Sequence, residues 1–254
     1  MPGRMTAAGD ELLAAIRGGL AAAADPVRAP GMQAYMKSAM PYRGVTSPVN
    51  KPIFERAIER HPVPDAEAWA GAVRRLFHEA SHREEWYGAL AVLRHPLYLK
   101  NRTMEALPLY EELIVGGAWW DVVDEVATGP LRDLLVATPE EMGPLLLEWS
   151  LSPNLWKRRS SIICQVGRRR SIDLPLLYAC IEPNLADRDF FIRKAIGWAL
   201  RDYAWVDPDE VVSYVTRNEA RLSGLSRREA LKNVDRLLAQ RGEPKPRRAP
   251  RPRP

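Results

Sequence analysis

The sequence predicts an all-α protein, either a helical bundle or an α-solenoid, and three observations carry that expectation. Apolar residues recur at three- and four-residue spacing along almost the whole chain. Alternating apolar–polar runs of the kind that form half-buried strands are absent from the pattern. Breaks between the periodic segments are short and fall at Pro and Gly, as in HPVPDAE, RHPLY, ATPEE, SPN, EPN and DPDE.

Element by element, DELLAAIRGGL, AEAWAGAVRRLFHEA, LPLYEELIVGG, WWDVVDEVATGPLRDLLVA and MGPLLLEWSL each present one apolar face. LWKRRSSIICQV, LPLLYACI, FFIRKAIGWALRDYAW, DEVVSYVTRNEARL and SRREALKNVDRLLAQRG continue the series. Thr138-Pro139-Glu140-Glu141 and Asp207-Pro208-Asp209-Glu210 place a capping side chain before a first-turn proline, with acids at the positive helix end. Ser226 with Glu229 reads as a capping box. Trp86, Trp120, Trp156 and Trp198 recur at a spacing near that of HEAT-like helix pairs, a pattern eight tryptophans can also produce by chance. Residues 1–242 are expected to form the folded domain, and 243–254, EPKPRRAPRPRP, a disordered basic tail.

Charge and composition bound the function. The chain has 46% hydrophobic and 27% charged residues, as an ordinary globular protein does. Of the net charge of +5, most sits in the last twelve residues, where five cations face one acid, so the body is close to neutral. Between Leu155 and Asp202, ten Lys or Arg stand against five acids, an excess that serves either as a solvated helix surface or as a phosphate-binding face. Two cysteines, Cys164 and Cys180, do not make a disulfide framework and read as core. No signal peptide or membrane span is expected, and the default location is the cytoplasm. His78 and His82, four apart, lack a third ligand for zinc.

Trp120 and Asp124 are also four apart, so a helix projects them side by side. On its own this pair more often means a packed tryptophan and a surface acid than a reactive pair. Arg159 follows Trp156 by three residues and Arg201 follows Trp198 by three, which sets an aromatic beside a cation twice more.

The strings Tyr35-Met36-Lys37, Gly44-Val45, EELIVGGAWWDVVDEVA, SPNLWKRRSSI, DFFIRKAIGWALRDYA and LSGLSRREALKN, in that order, resemble the AlkD-type DNA alkylation repair glycosylases from about residue 30 to 240. The resemblance implies an α-solenoid of HEAT-like repeats whose concave groove holds duplex DNA. It also implies excision of N3- and N7-alkylated purines without metal or other cofactor, on a lesion left stacked in the duplex. Carried over by position, Asp124 is the catalytic carboxylate, Trp120 and Trp198 are the aromatic walls, and Arg159 is the DNA contact. Tyr35, Lys37, Thr46, Arg158, Lys194 and Arg201 are expected to face DNA as well. Thr46 and Met40-Pro41-Tyr42 depart from the family pattern, and Thr46 has the shorter reach. The implied partner is double-stranded DNA carrying alkylated bases, engaged by a monomer away from membranes. The competing readings are a HEAT-like binder of damaged or branched DNA that does not cut, and a protein-interaction solenoid.

Overall fold

The structure, a computed structural model, describes residues 7–240. It is all-helical, and no strand occurs among the described residues. The chain divides into two compact units, Met1–Leu134 and Leu135–Pro254. The expected tail at 243–254 lies outside the described residues.

The first unit holds α1 (Ala7–Ala22), α2 (Ala29–Met36), α3 (Ser47–Arg60), α4 (Ala66–His78), α5 (Arg83–Arg94), α6 (Leu107–Gly117) and α7 (Trp120–Val126). After α7 the chain runs through a π-turn, Ala127–Leu131, into α8 (Arg132–Ala137). In this unit α1 packs on α3 and α4, α4 on α5, and α7 on α5 and α6. The core is Leu12, Ile16, Phe54, Ile58, Val73, Leu93 and Leu113, with Trp69 buried and its indole N–H donating to the Val92 carbonyl at 3.1 Å. That bond removes the cost of burying the one polar atom of the largest core side chain.

The second unit holds α9 (Pro139–Ser150), α10 (Leu155–Ile163), α11 (Leu174–Ile181), α12 (Phe190–Tyr203), α13 (Pro208–Arg217), α14 (Gly224–Ala230) and α15 (Val234–Gln240). Here α9 packs on α10 and α11, α10 on α12, and α12 on α13 and α14. Packing within each unit therefore runs mainly between near neighbours in sequence, as in a solenoid of helical repeats. Trp149, Ile162, Ile196 and Val211 are buried here, as are Cys164 and Cys180. Burial raises the Cys180 thiol pKa to about 12, which makes it a core residue and a poor nucleophile.

Helix starts follow the chemistry of the cap residue. Asp65, Asn154, Asp173, Asp189 and Asp207 each accept a backbone N–H from the first turn with the side chain. Two sequence expectations need correction. Thr138 stands at the N-cap of α9 without a side-chain cap bond. The cap of α14 is Ser223, whose hydroxyl accepts from Ser226 N–H at 3.0 Å, while Ser226 is inside the helix and buried. Ser226 instead donates its hydroxyl to the Arg193 carbonyl at 3.0 Å and fastens α14 to α12. That approach is close because Gly197 has no side chain: a Cβ there would lie 2.4 Å from Glu229 Cβ.

Candidate functional site

The segment joining α6 to α7 is built to turn Trp120 outward. Ala118 takes the left-handed region, φ 39°, and Trp119 is extended, φ −152°. Val122, Val123 and Val126 then fill the core at 0% exposure, and the opposite side of α7 carries Trp120, 37% exposed, and Asp124, half-buried. Trp120 and Asp124 lie one helical turn apart on α7 and project from the same side. Beyond Asp124 the regular ladder opens. Pro130 contributes no N–H, Gly129 adopts φ −119°, ψ −105°, and the Thr128 hydroxyl donates to the Asp124 carbonyl at 2.7 Å. π-turns of this kind occur often at functional sites because they re-aim the residues beside them.

What holds α7 is a buried polar network that the sequence patterns did not bring out. Asp121, the first acid of WWDVVDE, accepts from Arg83 at 2.6 and 3.3 Å and from the Tyr87 hydroxyl at 2.7 Å. Arg83 also lies over the Trp86 ring at 4.1 Å, and the Tyr42 and Tyr87 hydroxyls share a hydrogen bond of 2.8 Å. Burial, reinforced by the Asp121 charge, pushes the Tyr87 hydroxyl pKa well upward, so Tyr87 stays a donor to Asp121 at any ordinary pH. The next residue of α5, Glu84, is 0% exposed and accepts three backbone N–H groups, from Arg43, Gly44 and Val45, at 2.9–3.1 Å. Glu85 accepts from Ser81 and Arg17. Burial alone would raise the Glu85 pKa, but those bonds and the Arg17 charge outweigh it, and the net shift is downward. One end of α5 thus fastens both the loop at 43–45 and the start of α7.

The N-terminal candidates of this unit lie near that loop in sequence. Tyr35 is 79% exposed on α2, Lys37 is exposed and ends α2 in the left-handed region, and half-buried Thr46 precedes α3. Gly44 between them has φ +84°, and a Cβ there would sit 2.1 Å from the Asp25 carbonyl, so only glycine fits. His78 pairs with Glu112 and His82 with the Ser81 hydroxyl. No cluster of three metal-binding side chains occurs among the described residues.

The second-unit candidates are more engaged than their sequence pattern indicated. Arg159 on α10 is only 5% exposed and donates to the Phe191 carbonyl at 2.7 Å, where Trp156 packs against the Phe191 ring. Arg158 donates to the Ser152 and Pro153 carbonyls and pairs with Asp187 at 3.1 Å. Lys194 and Arg201, one on each side of half-buried Trp198 on α12, both pair with Glu229. Burial would raise the Glu229 pKa, but the two cations outweigh it and hold it below the usual carboxylate value. Lys194 and Arg201 are thus brought together at one acid, and Trp120 with Asp124 on one helix.

The missed residues, Arg83, Glu84, Glu85, Tyr87 and Asp121, had one available signal. Three consecutive charged residues begin a helix, α5, whose remaining pattern is apolar on more than one face.

An all-helical chain of neighbour-stacked helices, presenting a tryptophan and an acid side by side on one exposed helix face, defines a class of helical-repeat protein. Residues 16–234 match the family described as DNA alkylation repair enzyme, and the chain belongs to that family. A solved structure described as a "predicted DNA alkylation repair enzyme" from Enterococcus faecalis is similar to it, with a TM-score of 0.73 and 25% identity, over 82% of this chain and 95% of that one. A search of curated proteins finds no match. Family membership supports a role in DNA alkylation repair. No helix of the described residues is long and apolar enough to cross a membrane.

Proposed function

We propose that this protein is a DNA glycosylase that hydrolyses the N-glycosidic bond of cationic N3- and N7-alkylated purines in duplex DNA, without a cofactor and without flipping the base. The observation that carries the reading is α7: Trp120 is exposed, Asp124 lies one turn along the same side, and a π-turn follows directly.

The chemistry suits one carboxylate. A purine alkylated at N3 or N7 already bears positive charge and departs as a neutral base, so no general acid is needed where ordinary glycoside hydrolysis employs two carboxyl groups. As the C1′–N bond breaks, its electron pair leaves with the base and positive charge develops on the deoxyribose. Asp124 stabilises that charge and orients the water whose oxygen bonds to C1′, with the proton released to solvent. The electron-rich face of Trp120 attracts the same cationic sugar, and Trp198 receives the equivalent assignment from its family string. Arg159 is assigned a backbone phosphate contact, its direction set by the Phe191 carbonyl. Tyr35, Lys37 and Thr46 in the first unit, and Arg158, Lys194 and Arg201 in the second, are assigned supporting contacts to DNA. For Arg158, Lys194 and Arg201 this means exchanging or sharing a carboxylate partner.

The test is base release from duplex DNA carrying N7-methylguanine or N3-methyladenine, measured beside binding to the same duplexes. Release of free base, leaving an abasic site, is the expected result. Tight binding with no release from either lesion would replace this reading with that of a non-catalytic binder.

A further inference from the structure

Several cations of the second unit are matched to an acid: Arg158 to Asp187, Lys194 and Arg201 to Glu229, Arg217 to Glu210, Arg221 to Glu182 and Arg227 to Glu219. One group is not. Arg169, Arg170 and Arg236 are exposed, and none pairs with a carboxylate among the described residues. Two of them converge on one side chain. The guanidinium carbons of Arg169 and Arg236 lie over the ring of Trp205, 5.5 and 5.2 Å from its centroid, and Trp205 itself is 42% exposed.

The backbone is committed to this arrangement. Arg169 adopts φ 55°, a left-handed conformation unfavourable for a residue with a side chain, and Gly167 before it has φ 87°. Asp202 has a carboxylate oxygen occupied by the Gly167 N–H at 2.8 Å, which fixes the loop. Strained backbone persists where its surroundings over-determine it, and here it delivers Arg169 to the indole.

Gathering two like charges over one exposed ring is unfavourable in itself and is only partly offset by the ring's electron density. The arrangement becomes favourable when a polyanion arrives. Stacked guanidiniums keep their N–H edges outward and pre-oriented, which suits phosphate oxygens and spares the entropy cost of ordering a long side chain.

We propose that Arg169, Arg170, Arg236 and Trp205 form a docking point for the phosphodiester backbone of duplex DNA, additional to the residues assigned to the lesion. It rests on the protein's being a DNA binder, but not on base release.

The experiment uses the full chain and lesion-free duplex, with affinity measured by fluorescence anisotropy across a salt series. The variant R169A/R170A/R236A is expected to bind about tenfold more weakly near 0.1 M salt, and the slope of log affinity against log salt should fall by about 2–3. The basic residues after 240 are common to both proteins and cancel. A second variant, R169K/R170K/R236K, keeps the charge and is expected to retain most of the slope, while thermal unfolding of both variants matches the parent. Unchanged affinity and slope in the alanine variant would overturn the proposal, as would a lysine variant that loses as much as the alanine one. Because the duplex carries no lesion, these outcomes are distinct from any failure of glycosylase activity.

Discussion

The two units use charge in opposite ways. In the first, the charged residues at the start of α5 are buried and saturated: Arg83 by Asp121 and the Trp86 face, Glu84 by three backbone N–H groups, Glu85 by Ser81 and Arg17. They set geometry, fixing α7 and the loop at 43–45, and offer little to a ligand. In the second, half-exposed Arg158, Lys194 and Arg201 are held by acids, so what an arginine can offer DNA depends on whether an acid already holds it. The count of cations between Leu155 and Asp202 therefore includes Arg158, Lys194 and Arg201, which acids already hold, beside Arg169 and Arg170, which none among the described residues does.

The contrast can be broken by mutation. The largest effect is expected from Arg83→Ala, which leaves Asp121 buried without its cation and should cost about 3–5 kcal/mol in denaturant unfolding. Removal of a half-exposed second-unit pair member, as in Glu229→Gln, should cost about 1 kcal/mol or less. Equal costs for the two would dissolve the distinction. Next in size, Gly44→Ala forces a side chain into the left-handed region against the Asp25 carbonyl, and should cost about 2–4 kcal/mol. Ser223→Ala removes the α14 cap, with an expected loss of about 1 kcal/mol.

The smallest effect is on acid stability. Glu85 and Glu229 are both held below the usual carboxylate value in the folded state. Their contribution is therefore complete above the unfolded carboxylate pKa of about 4.3, and is lost as pH falls through the folded values. Unfolding midpoints measured from pH 6 down to pH 3 should drop, and Glu229→Gln should flatten that dependence slightly.

Much of the fold was legible because periodicity and turn residues act locally. Asp207 does cap α13, as its place before Pro208 indicates. The capping residue of α14 was misplaced by one turn because Ser223 and Ser226 both suit the role locally. Only the neighbouring α12, reached through the Ser226 hydroxyl and the bare Gly197, decides between them. The site was legible in part for the same reason. Trp120 and Asp124 share a helix, and their four-residue spacing places them. Asp121 and Arg83 are 38 residues apart, and Lys194 and Glu229 are 35 apart, so no local pattern could reveal that the first pair is a strut or that the second is already formed. Buried charges such as Glu84 look like solvated surface until their distant partners are known.

The proposed activity rests on the carboxylate that shares α7 with exposed Trp120. The direct measurement is single-turnover release of N7-methylguanine from duplex DNA by the parent and by Asp124→Asn, with affinity for the same duplex measured in parallel. Release is expected to fall by at least about a hundredfold in the variant, while affinity is unchanged or slightly higher for the loss of a negative charge near phosphate. Equal release by the two proteins would overturn the role given to Asp124.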